Sequence, residues 1–250
     1  LVAIRIARAY SKKQNIAFCG YHGWHDWYLA ANLQNSKNLD DQLLPGLKTK
    51  GVSKSYRGSI KPFIYNDINS LKKIFKKQNN NIGVVIMEPM RGSKPAKNFL
   101  KEVKKITKKN KAILIFDEIT SGFKDNYGGI HLKLGTKPDM AIFGKSIGNG
   151  YPISAIIGKR KIMETSQDTF ISSTMWTDRL GFIAGNATLE KLKKNRVNHK
   201  TKNFGKKIKQ GWIRLAKKNK INISVSGLDT IPSFKFNYSN NLEISTYFTQ

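Results

Sequence analysis

The sequence predicts an α/β protein with a mostly parallel sheet. Three observations carry this. Continuous apolar runs at 82–87, 112–116 and 139–143 have the length and the β-branched content of strands buried on both faces. Helical patterns alternate with them, as in chains that build parallel sheets from crossover units. Each run stops abruptly on a polar pair: Glu88-Pro89, Asp117-Glu118 and Gly144-Lys145. Ligands of such sheets bind beyond the C-terminal ends of the strands, so these pairs are the first candidates for a site.

The elements follow in order. Residues 1–10 are already helical, with Leu1, Ile4 and Ala7 at helical spacing and no cap in front of them, so the chain reads as a fragment whose start is lost. Ile16–Cys19 reads as a short buried strand and Gly20-Tyr21-His22-Gly23 as its exit turn. A short helix is expected over 24–33. Residues 34–66 are punctuated by Pro45, Gly46, Gly51, Gly58 and Pro62 and read as one long loop, which in a compact domain is usually functional or a lid. Amphipathic helices are expected at 67–78 and 98–109, and a returning strand at 154–158. Two long helices should cover 179–194 and a stretch reaching about 218. Alternating residues at 221–226 and 233–237 predict strands of a second, smaller sheet.

Composition narrows the function. No run approaches the roughly 18 apolar residues of a membrane span. The single cysteine, Cys19, excludes an intrachain disulfide framework and fits a reducing, cytoplasmic setting. The net charge of +29 raises nucleic-acid binding as the competing class. The lysines, however, fall in pairs at helical spacing without interleaved aromatic residues, which describes solvated helix faces better than a base-stacking surface.

In GKSIG, 144–148, a phosphate loop requires glycine where Asp139 stands, and a hydrolase elbow requires a helix that Gly148-Asn149-Gly150-Tyr151-Pro152 cannot propagate. What remains is a surface lysine or, if shielded from water, an amine that attacks carbonyls. Asp117 follows AILIF, where a carboxylate is costly to bury without a partner. A pyridinium N–H is such a partner; a helix cap or a metal ligand is the alternative. An acid and an amine at two strand ends suit pyridoxal phosphate, one holding the ring nitrogen and the other the aldehyde. Ile119 could press on the ring or simply fill core. Tyr21 could stack on a flat ligand or pack internally. Cys19, His22 and His25 lack the fourth ligand of a closed zinc site. Thr174 could serve a phosphate, and Thr174, Thr177 or Asp178 could cap the helix from 179.

FCGYHGW, DEITSGF and PDMAIFGKSIGNGYPISA, in that chain order, resemble class III pyridoxal-phosphate-dependent aminotransferases, in the branch of glutamate-1-semialdehyde 2,1-aminomutase and its relatives in surface-sugar biosynthesis. The resemblance implies a type I fold, with a seven-stranded sheet in a large domain (1–200 here), the start of a small α+β domain (201–250), and a homodimer with shared active sites. It implies pyridoxal 5'-phosphate as cofactor and a small-molecule amino donor and carbonyl acceptor as partners. By matching position, it makes Lys145 the lysine that binds the cofactor covalently and Asp117 the pyridinium partner. Ile119 becomes the aliphatic residue under the ring and Tyr21 the aromatic above it, with His22 beside. Glu88 is the acid near the phenolic side, and Thr174 the threonine reaching the neighbouring subunit's phosphate. The family's phosphate loop lies immediately before the opening helix and is absent from the fragment, which on its own is therefore expected to be inactive. Bulky Trp176 replaces the small residues of the aminomutases, which favours a transaminase.

Overall fold

The structure, a computed structural model, describes residues 1–42, 45–79, 81–90 and 92–250. Helix α1 (Val2–Ser11) leads into β1 (Asn15–Cys19). A single turn of helix, α2 (Asp26–Leu29), continues as a 3-10 turn at Ala30–Leu33 where one helix was expected. Strand β2 (Ile60–Pro62), helix α3 (Ile68–Lys77), strand β3 (Ile82–Met87), helix α4 (Phe99–Lys109), strand β4 (Ile113–Asp117) and strand β5 (Met140–Phe143) follow. Strand β6 (Ala155–Gly158) returns antiparallel along β5. In space the order is β2-β1-β3-β4-β5-β6, with the first five strands parallel. The described residues thus give this sheet six strands where the resemblance implies seven.

The pleat explains the continuous apolar runs. Successive side chains of a strand point to opposite faces. Ile16, Phe18, Val84, Ile86, Ile113 and Ile115 meet Ala3, Ile4, Ile6 and Ala7 of α1. Ala17, Val85, Met87, Leu114 and Phe116 meet Leu71 and Phe75 of α3 and Leu100 and Val103 of α4. Each fully buried side chain of this size contributes about 1.5–3 kcal/mol, so a strand with two covered faces is the most firmly held element of the fold. The strand order reverses at β1. The chain steps outward to β2 and then crosses back to β3 on the other side of β1, which makes a switch point where ligands bind in sheets of this kind.

Residues 34–66 are not a free flap. Leu39 is fully buried, and Asn32 binds the chain on both sides of it, donating to the Leu47 carbonyl at 2.9 Å and accepting from Leu39 N at 2.9 Å. The segment also contains β2, which the sequence reads as loop. Three residues are too few to show a period, and Pro62 argues against a strand except at a sheet edge, where it lies. Leu43 and Leu44 of this segment lie outside the described residues.

The rest of the chain adds helix α5 (Arg160–Met163), helix α6 (Arg179–Lys194), helix α7 (Val197–Lys218), the hairpin β7 (Ile223–Leu228) and β8 (Ile231–Phe236), and helix α8 (Asn241–Thr249). Neither α5 nor α8 is foreseen from the sequence. The hairpin rests on α7 at Gly205, where an added Cβ would overlap the Asp229 carbonyl, and Lys209 Nζ donates to the Gly227 carbonyl at 2.7 Å. It reaches the main body through Gly227 N, which donates to the Gly92 carbonyl at 3.1 Å, and through Leu228, packed with Met90 and Ile130.

Gly83 marks the tightest packing of β3. A Cβ there would stand 2.5 Å from Ser11 Oγ and 2.7 Å from the Lys13 carbonyl. Gly83→Ala is expected to lower stability by about 1–3 kcal/mol in urea unfolding, because backbone must move to admit a methyl group. An unchanged midpoint would refute that packing.

Candidate active site

The parallel register aligns the carboxyl ends. Cys19 pairs with Met87, and Met87 with Phe116. The next residues, Gly20, Glu88 and Asp117, therefore stand in a row, with Gly144-Lys145 leaving β5 beside them.

Asp117 and Glu118 are chain neighbours on opposite faces. Asp117 continues the Ile113 and Ile115 side, towards the aromatic cluster of Phe18, His22, Trp27 and Tyr28. There Asp117 Oδ2 lies 2.8 Å from His22 Nδ1, and Oδ1 accepts from Ile119 N at 3.1 Å. His22 Nε2 lies 3.2 Å from the Cys19 carbonyl, so the imidazole bridges β1 to β4. Both residues are buried. A carboxylate has about four acceptor sites. Two are used here, and capacity for a further donor remains.

Glu118 is fully buried on the Phe116 side. Oε1 accepts from His131 N at 3.0 Å and lies 2.8 Å from His131 Nδ1. Oε2 accepts from Ile130 N at 3.0 Å and from Ser121 Oγ at 2.5 Å. Glu118 therefore fastens the 121–131 loop and is fully occupied in doing so.

Glu88 sits across from the β1 exit. Its Oε2 accepts from Tyr21 N at 3.0 Å. Gly20 adopts φ +104, and a Cβ there would come within 2.7 Å of the same oxygen, so only glycine fits. Gln42, from the long segment, accepts from Gly20 N at 2.7 Å. Tyr21 is half-buried and packs edge-on against Tyr28, ring centroids 5.7 Å apart. Beneath these groups lies a cavity of about 480 Å³, bounded by Cys19, Gly20, Gln42, Glu88, Thr120 and Ser233 among others.

Lys145 has a left-handed backbone, φ 44, at the start of a 3-10 turn, Lys145–Ile147. Its Nζ donates to Thr120 Oγ1 at 3.1 Å. Ile119 lies against Gly144, whose Cβ position is 3.6 Å from it. The sequence leaves Lys145 either a surface lysine or an amine shielded from water. Here Lys145 is exposed, and among the described residues Thr120 reaches the amine.

Six of the seven expected residues thus gather at the strand ends: Tyr21, His22, Glu88, Asp117, Ile119 and Lys145. Thr174 does not. It lies on an exposed turn ahead of α6, and Asp178 caps that helix by accepting from Leu180 N at 2.8 Å. Cys19, His22 and His25 do not form a metal centre, and among the described residues no three His, Cys, Asp or Glu side chains do. Sequence reasoning missed Thr120, Gln42 and the duty of Glu118. Only Glu118 carried a signal, since an acid adjacent to a buried acid at a strand end must face the other way.

The fold is a mostly parallel α/β sheet whose strand ends bring a buried carboxylate and a lysine amine to neighbouring positions. The chain belongs to the class III aminotransferase family, whose profile it matches over residues 1–249. It is 31% identical over 242 residues to 3-aminobutyryl-CoA aminotransferase of Cloacimonas acidaminovorans (strain Evry), covering 94% of this chain and 54% of that protein. It is 32% identical over 234 residues to glutamate-1-semialdehyde 2,1-aminomutase of Clostridium botulinum (strain Eklund 17B / Type B), covering 90% and 54%. The chain therefore spans about half the length of the curated relatives it matches. Among solved structures, the FumI protein of Sphingopyxis sp. MTA144, in its PLP internal aldimine form, superposes with a TM-score of 0.81 at 24% identity, covering 94% of this chain and 54% of that one. An omega-transaminase from Sphaerobacter thermophilus gives 0.79 at 25%, covering 94% and 56%.

Burial raises the Cys19 thiol from 9.0 to about 12, helped by the nearby Glu88 charge. The folded state holds this proton more tightly than the unfolded state. The resulting stability is fully present below about pH 9 and is lost as pH rises towards about 12. At about pH 9, iodoacetamide should label Cys19 at least about tenfold faster in urea than in the folded chain. Equal rates would refute the burial.

Proposed function

We propose that the protein is a pyridoxal-phosphate-dependent aminotransferase that moves an amino group between a small-molecule amine and an aldehyde or ketone. The observation that carries this is the buried, His22-braced Asp117 on β4 with the Lys145 amine leaving the adjacent strand. The donor set suits the cofactor. Asp117 keeps an acceptor for a ring N–H, Ile119 gives an apolar flank beside Gly144, and the Tyr21 ring is braced by Tyr28. Helix α1 runs opposite to the parallel strands, so its N-terminus stands at their carboxyl edge, where a helix favours phosphate.

Bound pyridoxal phosphate supplies an aldehyde that takes up amino groups and a ring that withdraws electrons from the carbon beside them. The chain does the rest. Asp117, oriented by His22, keeps the ring nitrogen protonated through charge complementarity. Glu88 fixes the Tyr21 backbone and with it the ring position above the ligand. Lys145 Nζ would be the group that holds the cofactor and the base that moves the substrate proton. Thr174 serves the site of a second subunit. The cofactor-binding part, 1–200, and the smaller part from 201 are supported as a division by the separate sheet of β7 and β8. The single buried cysteine suits the reducing cytoplasm.

We also propose a homodimer. Phe170, Met175, Trp176, Leu180, Phe182 and Ile183 are all exposed, Trp176 at 63% and Phe182 at 61%. An apolar surface of this kind marks an interface, and the occupant proposed is a second copy.

Two measurements test these readings in the full-length protein. With added pyridoxal phosphate it should develop an absorbance band near the visible edge that borohydride bleaches, and Lys145→Ala should abolish both the band and transamination; a Lys145→Ala protein with the wild-type band would sink the assignment. Trp176→Asp should convert the dimer to monomer in sedimentation, with helix content unchanged. A stable dimer carrying that substitution would move the interface elsewhere.

A further inference from the structure

The turn after β4 gives consecutive residues separate duties. Asp117 is held by His22, Glu118 holds the 121–131 loop, and Ile119 lies against Gly144. Thr120 remains. Its hydroxyl is the partner of the Lys145 amine, and it also borders the cavity shared with Gly20 and Glu88. Thr120 therefore stands between the amine and that cavity, which Lys145 itself does not line.

Neither end of this contact is free to drift. Ser121, next in the chain, is bonded to the buried Glu118, and Gly122 N donates to the Glu118 carbonyl at 2.7 Å. Lys145 leaves its strand through a left-handed residue, which fixes the direction of its long side chain at the root. From there four methylene groups would let an exposed ammonium sample many positions, and one fixed hydroxyl selects among them. A threonine suits this duty in both charge states of the lysine. It accepts a hydrogen bond from the ammonium and donates one to the neutral amine. A carboxylate there would hold the proton on the lysine, and an aliphatic residue would leave the amine to water.

We propose that Thr120 is the positioning residue for Lys145, holding its ε-amine beside the cavity that Thr120 borders, where an incoming aldehyde would be met. This rests on the role given to Lys145 above.

The test uses the full-length protein, freed of cofactor and mixed with pyridoxal phosphate. Covalent capture is followed by the growth of the visible-edge band, and borohydride trapping with peptide mapping confirms that the label is on Lys145. Thr120→Val keeps the shape and removes the hydroxyl, and capture should slow about tenfold, as small losses of alignment cost at least this much. Thr120→Ser restores the hydroxyl and should capture within about twofold of wild type. A role in packing alone would reverse this order, because serine removes the methyl group that valine keeps. Wild-type capture by Thr120→Val overturns the proposal, as does Thr120→Ser as slow as Thr120→Val. Failure of the functional reading looks different: the unsubstituted protein would then give no trapped label on Lys145 at all.

Discussion

At the end of β4 the pleat sends two neighbouring carboxylates to opposite faces of the sheet, and much of the site follows from that separation. Asp117 faces the aromatic layer over α1 and meets His22. Glu118 faces the other layer and is spent on the loop beyond. Two acids so close in sequence would repel on one face. On two faces each has its own donors, and burial strengthens each pairing because little water competes. The cost of burying Asp117 is offset by a histidine from the turn after β1 and a backbone N–H from its own turn.

Topology does the remaining assembly. Strand ends in parallel register deliver Gly20, Glu88, Asp117 and Lys145 to one edge, at the place where the strand order reverses. The connections then tie the ends together. Gln42 reaches back from the long segment to Gly20, Glu88 takes the next backbone N–H, and Thr120 takes the Lys145 amine. The β7–β8 hairpin touches this edge through Gly92, and Ser233 of β8 borders the cavity. The site is therefore built from segments distant in sequence. Its geometry depends on the sheet beneath it more than on any single contact.

The buried centre was legible in the sequence. Runs such as IGVVIM and AILIF admit few readings other than strands covered on both sides, and their polar ends marked the site before any geometry was known. Helix 179–194 was legible to its ends, and Asp178, one of the candidate caps, closes its start. What escaped was of two kinds. Short elements such as β2 and α5 have too few residues to show a period and are formed by what they pack against. Tertiary hydrogen bonds leave no local trace: nothing in the vicinity of Gln42 announces that its amide will meet Gly20. The exposure of Lys145 was left open, since strand burial predicts the fate of a run but not of the turn that follows it.

The contact between Gly20 and Glu88 bears on how this site can vary. A side chain at position 20 meets two obstacles at once, a left-handed backbone and a carboxylate oxygen 2.7 Å away. Trimming Glu88 would clear the space but leave the Tyr21 N–H without that acceptor, and the backbone angle would still resist. No single substitution at either position leads to a tolerable second one, so the pair should persist unchanged while neighbouring surface residues drift freely. In a chain whose surface has filled so heavily with lysine, such a locked pair is a better guide to ancestry than overall composition.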